Sequence, residues 1–250
     1  MVYPVQRPTR YKRKKQKKRK KWPIVVLTVI LIIAAAIIFL YFSYSRLNGS
    51  KAMQDDVVDF LFYLEERDEI FLIRTDKKEK INYLISIPSI AYEPIMAISL
   101  DRDSPKDMYR SAEKLFGESD MSFFSTIDQG SFDRIVELSN KKENHPYGEI
   151  TVDQFAAYLK DIELGIFEFI FFPEVGRFTK VQKQDNFTKN GGYRLLYNVD
   201  RYANKSIPLD YMTEKPVRIT VMDQNGKETE YQRLYIDYKS LETIKEFMHQ

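Results

Sequence analysis

The sequence predicts a mixed α/β (α+β) exported domain, a central mixed sheet flanked by helices, preceded by one transmembrane helix. Three observations carry this. Nineteen apolar or near-apolar residues, Ile24 to Phe42, follow a tail with eleven Lys and Arg and no acid between Arg7 and Lys21. Three short apolar segments then succeed one another across charged turns. Beyond them, capped amphipathic segments alternate with β-rich ones.

At about 1.5 Å per residue the apolar run is roughly 28 Å long, close to the hydrocarbon thickness of a bilayer. It ends in Tyr41, Phe42 and Tyr44 with no Ala-x-Ala pattern behind it, so an uncleaved anchor is expected. The basic tail places the N-terminus in the cytoplasm and the residues from Ser43 on the far side of the membrane, with Trp22 and Tyr41/Tyr44 at the two interfaces. Charge divides in the same place: the chain is nominally +3, but the remainder after residue 21 holds 28 basic against 36 acidic groups, a net of −8. The basic cluster serves topology and headgroup attraction, and no helix-turn-helix or zinc-finger pattern accompanies it, so no nucleic-acid partner is expected. Cysteine is absent, which excludes a disulfide framework and leaves the exported part to an ordinary core.

The expected organisation is a basic tail (1–22), the span (23–42), a polar stalk (43–56), the exported domain (57–205) and a C-terminal extension (206–250). Val57 to Leu64 and Glu69 to Arg74 form a hairpin across Glu65–Asp68, and Ile81 to Pro88 is a third strand. Ser104-Pro105 opens a helix whose Met108, Ala112, Leu115 and Phe116 share one face before Gly117 stops it. Met121 to Ile127 reads as a strand. Ser131 to Leu138 reads as a helix with Phe132, Ile135, Val136 and Leu138 inward. Thr151 to Lys160 is a helix behind a Thr-x-x-Gln capping box. Late strands are expected at Ile166–Phe172, Tyr193–Val199 and Val217–Asp223, with a hairpin turn at Asn225-Gly226 and a closing helix from Ser240 to Met248.

Other constellations carry little chemistry. His145 and His249 lack partners at metal-ligand spacing, and His145 reads as a solvated turn residue. Ser86, Ser89, Ser122 and Ser125 lie in no nucleophile motif. Glu65-Glu66 with Asp68-Glu69 reads as a soluble charged turn, not a metal site. Phe167 to Phe172 reads as core at strand spacing, and Gly191-Gly192 as a turn.

From Val57 to Lys160 the wording resembles the LytR-CpsA-Psr family, membrane-anchored bacterial proteins whose exported domain transfers lipid-linked glycopolymers to peptidoglycan. Arg67-Asp68-Glu69, the strand Ile70–Ile73, the Lys-rich turn Thr75–Lys80 and Ile85-Ser86-Ile87-Pro88 stand where the family has Arg-Ser-Asp-Thr, a strand, a turn and Ser-Ile-Pro-Arg-Asp. Ser104–Gly117 with Met121–Phe132 is similar to its Gly-Pro-x helix, Leu-Leu-Gly stop and following strand, and Thr151–Lys160 to Leu-Asp-Gly-x-x-Ala-Leu-x-Tyr-x-Arg.

The resemblance implies arginines on a polyprenyl pyrophosphate and carboxylates on Mg²⁺, because a diphosphate leaving group needs cationic donors and a divalent ion. Here the family's Arg-Asp is Ser89-Ile90 and its Lys-x-Asn is Ile95-Met96-Ala97. Its late Asp-x-x-Arg-x-x-Arg-Gln signature finds no counterpart in Asp161–Gln184. Asp68 and Lys160 stand where family site residues would, and Arg74 and Arg102 are the neighbours able to substitute for lost cations. The reading is a non-catalytic pseudoenzyme of envelope assembly with no catalytic residue, no metal and no cofactor, Mg²⁺ entering only if the family activity is retained. Its expected partners are the lipid bilayer, envelope-assembly proteins and a polyprenyl phosphate lipid. The alternatives are an active divergent phosphotransferase and an unrelated bitopic division or secretion scaffold.

Overall fold

The structure, a computed structural model, describes residues 22–100, 105–139, 145–165, 168–181, 186–222 and 228–248. The basic tail, Arg102, Ser104, the turn at Asn225-Gly226 and His249 lie outside the described residues. The chain divides after Phe42 into two units. The first holds most of α1 (Trp22–Asn48), the one helix among the described residues that is long and apolar enough to cross a membrane.

The second unit is a mixed α/β domain. Its central sheet has the order β6-β1-β2-β3-β7, from β1 (Val57–Leu64), β2 (Glu69–Asp76), β3 (Ile81–Pro88), β6 (Met121–Ile127) and β7 (Ala203–Ser206). The three predicted strands form an antiparallel meander, with Val57 opposite Asp76 and Glu69 opposite Pro88. Flanking β6 and β7 run parallel to β1 and β3. A second sheet, β5-β4-β9-β8, is built from β4 (Ala91–Glu93), β5 (Ile98–Ser99), β8 (Val217–Met222) and β9 (Glu228–Tyr235).

Alternation sends Phe60, Phe62, Leu64, Phe71 and Ile73 to one face of the central sheet. They pack there against α4 (Gln129–Leu138), α5 (Val152–Lys160), α7 (Pro173–Val181) and α8 (Lys189–Arg201). Leu61, Ile70, Leu72, Ile85 and Ile87 face the other way, onto α3 (Pro105–Phe116) and α9 (Tyr238–Met248). Burial on both faces explains the near-continuous apolar runs of β1 to β3. The helices begin and stop for local reasons. Asp128 accepts from Ser131 N at the start of α4 (2.8 Å), the Thr151/Gln154 capping box opens α5, and Gly117 takes φ 91° past the end of α3.

Several expectations are overturned. Tyr193–Val199 is not a strand but lies within α8: Gly192, Leu195, Leu196 and Val199 recur at helical spacing, and Thr188 caps the helix by accepting from Gly191 N. Gly191 and Gly192 therefore form its first turn and not a loop. A Cβ on Gly191 would come within 2.5 Å of Phe123 Cζ, so glycine lets α8 press onto the sheet. The expected strand Ile166–Phe172 is instead α6 (Glu168–Phe171). Its residues 166–167 lie outside those described. Among its described residues the aromatic run is core only in part: Phe172 packs against the core, Glu168 is buried, and Phe171 is 66% exposed. The short β4, β5 and β7, and the helix α7, had no expectation at all.

Between the span and β1, α1 continues to Asn48 and α2 (Lys51–Gln54) follows. Leu47 and Ala52 are buried, and the buried Arg194 of α8 donates to the main-chain oxygens of Ala52 and Asp55 (2.6 Å each) and Asp56 (3.3 Å). Burial holds this guanidinium below the ordinary arginine value.

The other buried arginine is Arg74 on β2, 1% exposed. Its Nε and Nη2 donate to the two carboxylate oxygens of Asp59 on β1, 2.7 Å each, while Nη1 donates to Phe116 O and Nη2 to Gly117 O. The fork thus matches a carboxylate on one side and the carbonyl end of α3 on the other. Arg74→Met, which strands Asp59, is expected to cost about 3–5 kcal/mol in denaturant titration of the full chain, and adding Asp59→Leu to recover most of it.

Candidate functional site

The turn after β1 holds the first predicted site residue. Asp68 sits at φ 54°, a left-handed conformation that aspartate tolerates. Its Oδ1 accepts from Tyr63 OH (2.9 Å) and its main-chain oxygen from Ser89 N (2.8 Å). Asp68 therefore stands beside the position that the resemblance fills with arginine and this chain fills with serine. Arg67, its neighbour, points elsewhere: it pairs with Glu69, donates to Ile150 O, and lies 5.7 Å over the Phe71 ring. Glu69 also accepts from Ser86. Among the described residues no three His, Asp or Glu side chains converge as a metal site.

Arg74 has all three guanidinium nitrogens engaged in the interior and offers none to a ligand. Lys160 ends α5 and lines a cleft of 480 Å³ with Glu163, Phe169, Tyr193, Tyr197 and Arg201. There Tyr193 and Tyr197 stack at 5.8 Å, and Arg201 lies over the Tyr197 ring at 5.0 Å. This cleft adjoins the end of α8, just before Ala203 pairs with Ile81 at the start of β3. Asp68 lies by Ser89, beyond the other end of the same strand, and an eight-residue strand spans about 25 Å. The fold does not bring Asp68, Arg74 and Lys160 together.

What it does bring together is a second cleft, of 570 Å³, between α4 and α7, lined by Arg134, Glu137, Glu163, Glu174 and Arg177. Helix α7 carries Glu174, Arg177 and Lys180 at three-residue spacing, an acid and two cations in the order of the signature sought without success in Asp161–Gln184. These three become a face only once the segment is known to be helical. Arg177 pairs with Glu174 at 3.1 Å.

Below α7, Glu168 is 1% exposed and caps the helix, accepting from Val175 N (2.7 Å) and Glu174 N (3.2 Å). Burial raises its pKa above the ordinary 4.5, against the pull of those two N–H groups. Between this helical layer and the sheet the interior is filled. Phe60 stacks on Phe123 (5.4 Å), and Phe187 lies against Phe60, Phe62 and Phe123 at 5.4 to 5.8 Å. His145 is half-buried and its ring meets Tyr158 edge-on, so it is not the solvated residue expected.

No family model matches the chain, and no curated protein matches its sequence. The fold itself is that of solved proteins of the LytR-CpsA-Psr type. Among them, TagV of B. subtilis matches at TM-score 0.50 and 12% identity, over 78% of this chain and 95% of that one. Lmo1026 of Listeria monocytogenes matches at TM-score 0.47 and 16% identity, over 79% and 96%. The LytR-CPS2A-psr family protein YwtF (TagT), solved with bound octaprenyl pyrophosphate lipid, matches at 0.46 and 13%, over 80% and 91%. At these identities the likeness is one of fold.

Because the folded state holds the Glu168 proton more tightly than the unfolded chain, this group favours folding below pH 4.5, and its contribution falls as pH climbs through the raised value. Glu168→Gln removes that slope. Denaturation midpoints of the two proteins are therefore expected to diverge between acid and neutral pH, the wild type losing more on going up.

Proposed function

We propose that the chain is a single-pass protein of the bacterial cytoplasmic membrane, its N-terminus cytoplasmic and its α/β domain extracytoplasmic. In this reading it is a degenerate LytR-CpsA-Psr-like module that serves envelope assembly by binding partner proteins at the membrane and does not catalyse phosphotransfer. The anchor reading rests on α1 and on the charge asymmetry about it. The observation that carries the non-catalytic reading is the strand arginine Arg74, locked on Asp59, together with Ser89 beside Asp68 at the position that the resemblance fills with arginine. The ring-filled layer between sheet and helices favours protein partners over a deeply buried polyprenyl tail.

A second reading, phosphotransfer by relocated cations, is favoured by one observation, the Arg134/Arg177 cleft with its three carboxylates. Mg²⁺ and a polyprenyl pyrophosphate would be its cofactor and ligand.

The two readings differ in a direct assay. With full-length protein in detergent, polyprenyl pyrophosphate and Mg²⁺, phosphate release is expected to stay at the protein-free rate, and Ser89→Arg is expected to leave it there because the other cations are still missing. Release above background by the wild type, abolished by Arg177→Ala, would establish the second reading in place of the first.

A further inference from the structure

The helix α6 is four residues long, yet it exposes more apolar surface than its place in the core-forming layer requires. Phe171 is 66% exposed, and its neighbours Phe169 and Ile170 are half-buried, part of each ring or chain still reaching the surface. The segment is held in that attitude from both ends. Glu168 is pinned inside by the two N–H groups of α7, and Phe172, with φ 50°, turns the chain sharply into Pro173. An aromatic residue in the left-handed region is uncommon, and here it aims the preceding side chains outward.

What surrounds this knob indicates what covers it. The ring of Tyr44 meets Phe169 edge-on at 6.0 Å. Tyr44 is only two residues beyond Phe42, where the apolar run of α1 ends. A cleft of 360 Å³ beside α6 is lined by Arg46, Leu47, Phe171, Phe172 and Lys189 among others, and its lining contains two cations and no acid. Lys189 also lies over the Phe172 ring at 6.0 Å. Aromatic and aliphatic side chains flanked by cations are the composition that settles at a bilayer interface, with the rings among the upper acyl chains and the cations at the phosphates.

We propose that α6 is a second membrane contact, its Phe169, Ile170 and Phe171 entering the interface of the extracytoplasmic leaflet while Arg46 and Lys189 meet anionic headgroups. The inference rests on the anchor reading above and adds to it a fixed attitude. The Tyr193/Tyr197 cleft, which shares Phe169 with this surface, then opens beside the headgroups.

The only tryptophan is Trp22, so single-tryptophan proteins are readily made from a Trp22→Phe background. Full-length protein carrying Phe171→Trp, Ile33→Trp or Val221→Trp is reconstituted into vesicles of equal phosphatidylglycerol and phosphatidylcholine, with and without shallow- or deep-brominated acyl chains. Phe171→Trp is expected to lose about half of its emission to shallow bromines, as for a ring about 5–10 Å into the headgroup boundary, and Val221→Trp on the exposed β8 to lose none. Adding Arg46→Glu and Lys189→Glu should reduce that quenching. Deep quenching at position 33 with an unquenched position 171 overturns the second contact and leaves the anchor standing. No quenching at position 33 overturns the anchor reading and this inference with it.

Discussion

Because β1, β2 and β3 are covered on both faces, any charge they carry must be neutralised where it stands. Asp59 and Arg74 satisfy that constraint on the α3 side of the sheet, and in doing so they fix more than a pair of strands. The guanidinium also binds the last carbonyls of α3, so the helix is tied to the register of the β1–β2 hairpin. Arg194 acts similarly on the other side, gathering three main-chain oxygens at the α2–β1 connection onto α8. The two largest buried cations of the domain are thus structural, and cationic chemistry is left to surface residues such as Arg134, Arg177, Lys160 and Arg201.

That division bears on function. A diphosphate needs several donors converging on one point. Here the carboxylate of Asp68 keeps its place by the β1–β2 turn, while the surface cations gather in clefts on the helical face. The phenylalanine stack around Phe187 closes the space between that face and the sheet, and Gly191 permits the closure by letting α8 approach Phe123. The scaffold is similar to TagV in fold alone, and the charged groups that this chain places on it lie at the β1–β2 turn and in clefts on the helical face.

Strands β1 and β3 were legible to the residue, because continuous β-branched and aromatic runs bounded by charged turns have one reading. β2 runs two residues past its expected end, since Thr75 and Asp76 are polar yet still pair with Val58 and Val57. Helices α3, α4 and α5 were legible from their caps or faces, and α9 was expected from Ser240 where it starts at Tyr238. The region after Lys160 was not. Tyr193–Val199 is rich in residues that favour strands, and the pair of glycines ahead of it mimics a turn. The deciding period, Gly192 to Val199, counts glycine as an inward position, which only the close approach of Phe123 and Val175 explains. In α6 the misleading feature was the aromatic run itself, whose anchor is a buried glutamate that composition could not distinguish from a solvated one. For the site, the Glu174-Arg177-Lys180 face was hidden by the absence of any helix expected there.

The proposed reading is that this domain serves as a partner-binding module and holds no lipid-linked diphosphate. Native mass spectrometry of the full chain, extracted in detergent that retains bound lipids, tests it most directly. The account predicts protein free of polyprenyl phosphates, carrying at most bilayer phospholipids. Polyprenyl pyrophosphate bound in stoichiometric amount would contradict it and return the carrier lipid to the centre of the protein's function.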